Sequence, residues 1–488
     1  MKSRVISLLA LLGTMLGSAS IGSAAYLTVY GGPAYDPATG EGFPGAASAK
    51  VNESGLAVGR AMKYVAGIDK GERAVRWDPS TAPGTELGTL GTDSSGTAYV
   101  WANAINCAGT AVGFAEKYVD GNYQGALAVR WDLSGTAATE LGHIGLSGAG
   151  TTYAEAYAIN DAGVAVGYAK KYVDGSNKGL RAVRWAPSGA ATELGDLGTA
   201  SDGYSYCFAV ALNASGTAAG VANKYVDGNY MGERAVRWDA AGTAATELGV
   251  LGTDSSGSTD ARANAVNDPG TAVGWAEKWS GGYKGTRAVR WDAGGTAATE
   301  LGVLGTDIVG GTGAMAYAMN DAGIAVGVVE KWVGGNSVGT RAVRWGPSGA
   351  AATELGDLGT DSSGFTHSAA SAVNNAGTAL GYARKYVNGS YAGARAVYWG
   401  MEGLAVDLND LIDPANGWTL TQAYSMSDTG WIAGEGMFDG DGPGGYDPYN
   451  RLFLLQIPEP AALTLVALGG AVLLRRRRGF QPLTPRLA

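Results

Sequence analysis

The stretch Arg73-Ala74-Val75-Arg76-Trp77 decides how this chain is read, because the same five letters, RAVRW, begin again at 181, 234, 287 and 341. LAVRW at Leu127 and RAVYW at Arg395 are near-copies. The seven tryptophans, Trp77, Trp131, Trp185, Trp238, Trp291, Trp345 and Trp399, stand 53 or 54 residues apart. So constant a period along most of a chain is the mark of stacked supersecondary units.

Three other segments keep the same period. TELGTLG recurs around Glu86, Glu140, Glu193, Glu247, Glu300 and Glu354, and degenerates to VDLNDLI from Val406. Segments of the AYAINDAG type carry Asn52, Asn106, Asn160, Asn213, Asn267, Asn320 and Asn374, with Ser427 in the last copy. Segments of the AVGYAKKYVDG type carry Lys63, Lys117, Lys171, Lys224, Lys278, Lys331 and Lys385. An eighth, weaker unit runs from Val406 through YSMSDTGWIAG to RLFLL at Arg451. Each segment is short, rich in Val, Tyr, Trp or Ala, and bounded by Gly, Asn and Asp, which predicts strands. Gly recurs too often within the unit for helix. Asn-x-x-Gly suits a bulged hairpin, and Asp120-Gly121 marks the next reversal. Each unit is therefore expected to be a four-stranded antiparallel meander.

YLTVYGG at residues 26–32 can stand in for the missing first TELGTLG, which gives eight copies of every strand type. Whole numbers of each strand favour a closed ring, since leftover edges invite aggregation. The fold expected is an all-β, eight-bladed β-propeller over 26–457. An open β-solenoid is the alternative. TELGTLG and AYAIN, being Gly- and Ala-rich, are expected near the axis, and KYV and RAVRW at the wide rim. About eight residues link Trp131 to Glu140, a reach of about 26 Å. Crossing a blade needs only about 14 Å, so the link can span it.

Composition agrees with many short strands. Gly is 80 of 488 residues, about double the usual share, and there is no Gly-X-Y period. Hydrophobic residues at 46% argue against disorder. Two cysteines, Cys107 and Cys207, supply neither a disulfide framework nor a metal pattern, and are expected as small buried or turn thiols.

Both ends read as addresses. Residues 1–25 pair a basic start, Lys2 and Arg4, with an apolar run and small residues at 22–25, as in a cleavable secretory signal peptide. Residues 458–488 hold Pro458, Glu459 and Pro460, then 14 apolar residues, then Arg475, Arg476, Arg477 and Arg478. Fourteen residues make only about 21 Å of helix against a core of about 30 Å, so the segment suits transient anchoring better than a permanent span. The four arginines would stay cytoplasmic.

This tail resembles the PEP-CTERM sorting signal of exopolysaccharide-producing bacteria. The resemblance implies that an exosortase-type membrane protease recognises Pro458-Glu459-Pro460, with this chain as substrate. Ten residues follow Arg478, where tails of that family usually stop sooner. The repeat unit in turn resembles the HAF family of extracellular repeats, through RAVRWD, LGTLGT, AYAIN and AGVAVG. Here Arg73-Ala74-Val75 stands where that family has His-Ala-Phe. That likeness implies export and repeat architecture and leaves the ligand open.

The formal net charge of −9 becomes −11 without Lys2 and Arg4, and −16 without the five arginines of the tail. A surface so acidic repels nucleic acid, which excludes it as a partner. The tryptophans are expected to pack between blades. The row Arg76, Arg130, Arg184, Arg237, Arg290 and Arg344 is expected to be structural, pairing with the TELG glutamates if the two strands are neighbours. Otherwise it would reach the Lys-Tyr strand or solvent.

Catalysis needs singular groups, and identical charges in every unit are poor candidates. His143 and His367 are the two histidines, and no HExxH, GxSxG or paired Cys/His spacing occurs. No catalytic residue is assigned. Asp439, Asp441 and Asp447, with Asn450, lie in the irregular Gly-rich loop of the last unit and are candidate Ca²⁺ ligands. They lack a complete EF-hand or nonapeptide pattern, and a solvated loop is the simpler reading. The TDSSG loops at Thr92, Thr253 and Thr360 are expected to line one rim. These features point to an exported surface or matrix protein, a binding or scaffold module for exopolysaccharide or another surface protein. The alternative is a carbohydrate-active enzyme, a glycoside hydrolase or lyase, on the same scaffold.

Overall fold

The computed structural model describes residues 27–457 other than 33 and 443. The expected signal peptide, the sorting motif Pro458, Glu459, Pro460 and the cluster Arg475–Arg478 lie outside the described residues. The described chain is all-β and propeller-like, a succession of small antiparallel sheets with two short 3-10 turns at Leu408–Leu411 and Pro414–Asn416.

The unit at 152–193 shows the pattern. Thr152–Ile159, Ala165–Val173, Ser176–Trp185 and Ala191–Glu193 lie in that order, each antiparallel to the next. The second reversal has positive φ at both central residues, as at Asp120 (49°) and Gly121 (79°), the geometry that matches strand twist in a two-residue hairpin. The first strand bulges between Ala156 and Ala158, and its backbone there presses on Gly167. A Cβ at Gly167 would lie 1.9 Å from the Glu155 carbonyl oxygen, which explains why AVG recurs.

The first strand of each unit is innermost. Its terminal residues, Asn52, Asn106, Asn160, Asn213, Asn267, Asn320 and Asn374, all border one shared pit. TELG is outermost, paired to RAVRW, so the expectation that it sits near the axis is corrected. Its small residue serves neighbour contact instead: a Cβ on Gly88 would lie 2.7 Å from the Thr136 carbonyl oxygen of the next unit.

Neighbouring units are held by three repeated devices. The first is apolar. Val166, Ala182 and Leu194 of one unit share a core with Cys207, Ala209, Ala218, Ala222, Val236 and Trp238 of the next. Trp77, Trp131, Trp185, Trp238, Trp291, Trp345 and Trp399 are all essentially fully buried. Six of the indoles also donate to a carbonyl of the preceding unit, as Trp185 Nε1 does to Gly142 at 2.7 Å. Trp77 Nε1 has no partner among the described residues.

The second device is the first arginine of RAVRW. Arg181, 2% exposed, donates to the carbonyls of Lys178 (2.7 Å) and of Ser205 (2.8 Å) and Gly203 (3.1 Å) in the crossover to the next unit. Arg73, Arg234, Arg287 and Arg341 repeat the clamp onto Ala98, Thr259, Thr312 and Thr366. The third device is the second arginine. Arg184 donates to the carbonyls of Asp239 (2.8 Å), Ala240 (2.9 Å) and Gly242 (3.0 Å), a turn of the next unit.

The expected pairing of Arg76, Arg130, Arg184, Arg237, Arg290 and Arg344 with the TELG glutamates is thereby corrected. Register explains it: Glu86 lies opposite Val75, so its side chain shares a face with Arg73, whereas Arg76 lies opposite Thr85. Glu86 accordingly takes Lys63 at 2.7 Å and Arg73 at 3.2 Å.

The last unit packs on the first. Trp77, Val75 and Ala49 share a core with Ala433, Leu452 and Leu454. The Glu53 carboxylate accepts the Asp428 and Thr429 N–H groups, both at 3.1 Å. Tyr30–Gly31 pairs with Tyr449–Gln456, Tyr30 opposite Leu454, in the outer place that TELG takes elsewhere.

Two substitutions separate the packing device from the clamp. Trp185→Ala should lower unfolding free energy by roughly 3–5 kcal/mol through cavity formation. Arg234→Ala should lower it by roughly 2–3 kcal/mol, since it removes charged hydrogen bonds to buried carbonyls. Denaturant unfolding measures both, and an Arg234→Ala chain as stable as the parent would show that the clamp contributes nothing.

Candidate functional site

The repeated charges are engaged inside the scaffold. Lys63, Lys117, Lys171, Lys224, Lys278 and Lys331 pair with the TELG glutamates at 2.6–2.8 Å, and Lys385 pairs with Asp407. The asparagines form a chain from Asn52 to Asn374, six side-chain amides each donating to the next asparagine's carbonyl, Asn106 to Asn160 at 3.1 Å and Asn213 to Asn267 at 2.9 Å. Beside them the exposed carboxylates Glu53, Asp161, Asp268, Asp321 and Asp428 rim a pit of about 360 Å³. Each accepts an N–H from the preceding unit, so the rim belongs to the joints of the scaffold.

Singular residues appear where the sequence showed only sameness. On the innermost strands, Trp101, Glu155, Phe208, Arg262 and Met315 occupy one repeat position, opposite Phe114, Tyr168, Val221, Trp275 and Val328. Glu155 is buried, and burial raises its carboxyl pKa. It accepts from Asn103 Nδ2 (2.9 Å) and Tyr168 Oη (3.0 Å), so both of its oxygens are satisfied within the protein. This belt links neighbouring units, as Asn103 does to Glu155 and Arg262 to Phe208. His143 and His367 stand apart: His367 Nδ1 meets Thr340 Oγ1 at 2.9 Å, while His143 Nδ1 accepts from Gly145 within its own loop. Cys207 is buried, its thiol pushed up to about 12 by burial, and Cys107 is exposed in the pit turn.

A concave irregular surface lies at the seam. Tyr35, Asp36 and Pro37 from the N-terminal side meet Phe438, Asp441, Tyr446, Asp447 and Tyr449 around a cleft of about 320 Å³. Tyr35 and Tyr449 pack edge-to-face at 5.7 Å, and Phe438 and Tyr449 at 5.9 Å. Tyr446 is 53% exposed. Asp439, Asp441 and Asp447 do not assemble the calcium loop: among the described residues no group of three carboxylate, His or Cys side chains is placed to hold a metal ion. Two of these carboxylates serve the turn instead, Asp439 accepting from Gly442 N–H and Asp441 from Tyr446 N–H, both at 2.9 Å.

The TDSSG loops lie at the opposite end from the asparagine turns, beside the hairpin that carries Lys70. Asp93 accepts from Ser95 Oγ (2.7 Å) and from the Ser95 and Thr97 N–H groups (2.8 Å).

A family described as a protein of unknown function, DUF3466, matches residues 191–343. No curated protein matches the chain in sequence. Among solved structures, puromycin hydrolase is similar at 13% identity over 86% of this chain, with a TM-score of 0.41, and the chain spans 64% of its length. Polysaccharide lyase Uly1 is similar at 9% identity, over 90% of this chain and 94% of its own, with a TM-score of 0.38. The β-propeller domain of the Trilobed protease from Pyrococcus furiosus is similar at 8% identity, over 62% and 93%, with a TM-score of 0.28. Among the described residues no helix is long and apolar enough to cross a membrane.

The serine hydroxyl, followed by backbone N–H groups, holds Asp93, Asp254 and Asp361 below the ordinary aspartate value of 3.8. A depressed carboxyl stabilises its loop above the ordinary value and loses that contribution as pH falls through its own lower value. Carboxyl NMR titration should place these three midpoints below 3.8 and return Asp93 towards it in Ser95→Ala. Midpoints at or above 3.8 would contradict the loop geometry.

Proposed function

We propose that the chain is an exported, closed eight-bladed β-propeller that acts as a binding and scaffold module at the cell surface, with the seam cleft as its ligand site. The closed ring is supported by the pairing of Tyr30–Gly31 with the last unit and by the core shared between the last and first units. One observation carries the functional reading. The recurring Arg, Lys, Glu and Asn side chains bind other parts of the scaffold, whereas the seam cleft combines aromatic walls with Asp447, beside Asp36 and Asp441, which hold their own turns.

Aromatic faces stack on the C–H faces of sugar rings, and carboxylate oxygens accept from sugar hydroxyls. A cleft of about 320 Å³ is at the small end of the usual range for ligand sites, which suits one or two sugar residues of a surface polysaccharide. The acidic surface favours neutral sugars over uronates. Affinity electrophoresis through neutral polysaccharide should retard the parent chain, and Tyr446→Ala or Asp447→Asn should weaken that retardation without lowering Tm. Equal retardation of parent and variants would remove the cleft from the reading.

The C-terminal resemblance supports processing by an exosortase-type protease, with Pro458-Glu459-Pro460 as its recognition segment and Arg475–Arg478 lost on maturation. Proline disfavours both helix and ladder pairing, which suits a segment that a protease must thread. Glu459→Ala should leave full-length chain in the membrane fraction. Mass spectrometry that recovered the surface protein with Arg475–Arg478 intact would instead make the tail an ordinary anchor.

A further inference from the structure

We propose a second ligand site, independent of the seam cleft, in the bore at the centre of the ring: Lys50 binds a small oxyanion, a carboxylate or phosphate, with hydroxyl groups of opposing units. Internal repetition draws attention to this residue. Lys50 lies opposite Val58 in the register where Ala104 lies opposite Val112 and Ala158 opposite Val166. The same repeat position holds Ala211, Ala265, Ala318, Ala372 and, in the last unit, Ser425. A lysine therefore stands at one place in a ring of small residues.

Its surroundings define a cavity. Lys50 lines about 270 Å³ together with Ala49, Tyr317, Ser371 and Tyr424. Those residues come from the innermost strands of the first unit and of the last three, so the space they enclose is axial. Lys50 is reached by solvent within this cavity, and the protein around it lowers its pKa by desolvation. It makes no ion pair or hydrogen bond among the described residues, although every other repeated cation has found an acceptor.

A cation held in a protein-lined space without a counter-charge is costly, and a bound anion removes that cost. The wall supplies matching donors. Ser371 carries a hydroxyl and Tyr317 Oη meets only the Met315 sulfur, at 4.0 Å, whereas Tyr424 donates its hydroxyl proton to Glu435. One ammonium with two hydroxyls fits the oxygens of a single carboxylate or phosphate. The carboxylates at the pit mouth, Glu53, Asp161, Asp268, Asp321 and Asp428, repel polyanions and restrict the ligand to a small one.

Acylation of lysines on the purified full chain, mapped by peptide mass, tests the site with acetate and with inorganic phosphate against chloride at matched ionic strength. At ten times its Kd an anion should slow labelling of Lys50 about tenfold while labelling of Lys170 is unchanged. Protection by phosphate alone assigns a tetrahedral oxyanion, and protection by acetate assigns a carboxylate. Lys50→Ala should fold with unchanged Tm, since six other units carry alanine there, and should lose the heat of anion binding in calorimetry. Labelling insensitive to both anions, or binding undiminished in Lys50→Ala, would overturn the proposal.

Discussion

Everything in this molecule depends on a guanidinium bonded to backbone carbonyls across a unit boundary. A propeller-like ring must carry its chain from the outer strand of one sheet to the inner strand of the next, and that crossover has at most a two-residue ladder of its own. Arg73, Arg181, Arg234, Arg287 and Arg341 supply the missing partners, each bonding the crossover's carbonyls from within a strand. Arginine suits this task better than lysine, because a planar fork of donors stays charged when buried and reaches several acceptors at once. The glutamate of TELG and the lysine of the second strand then balance the buried charge. Cation, counter-ion and crossover recur together because each is incomplete without the others.

The exception in the second unit shows which part of this set can be given up. Leu127 replaces the clamp arginine, and it is buried there among apolar neighbours. Lys117 and Glu140 still pair at 2.7 Å, since lysine alone suffices to neutralise the glutamate. What unit two lacks is the side-chain bond to its crossover; the short parallel ladder there, Thr152 and Tyr153 with Gly125 and Ala126, also occurs beside the Arg181 clamp, as Ser205 and Tyr206 with Gly179 and Leu180. Apolar burial of Leu127 takes the place of one clamp.

Much of this was legible from the chain. The 53–54 residue period, the positive-φ hairpins at Asp120-Gly121 and its relatives, and a place for the N-terminal strand all follow from local chemistry that repeats. Whether Arg73 or Arg76 faces Glu86 was not legible, because one step of register between the third and fourth strands exchanges them. The position of TELG was misjudged for a related reason. Small residues serve close approach wherever it occurs, and here it occurs between neighbouring units at the rim. The seam cleft joins residue 35 to residue 449, and no pattern in either segment alone announces the other.

Repetition also explains where binding can evolve in such a molecule. A side chain that joins one unit to its neighbour cannot be altered in one copy without weakening a joint, so the recurring positions are committed to the scaffold. Freedom exists where the repeat is interrupted. The seam brings a short N-terminal strand against a degenerate last unit, and its loops are not required to match any neighbour. The bore offers some of the same freedom on the inside, where Asn103 and Asn264 bond the next sheet and Tyr317 does not. Lys50 and Ser371 differ from their repeat equivalents there, as do Asp36, Tyr446 and Asp447 at the seam. In a ring built from identical joints, singular chemistry is confined to the closure and the axis.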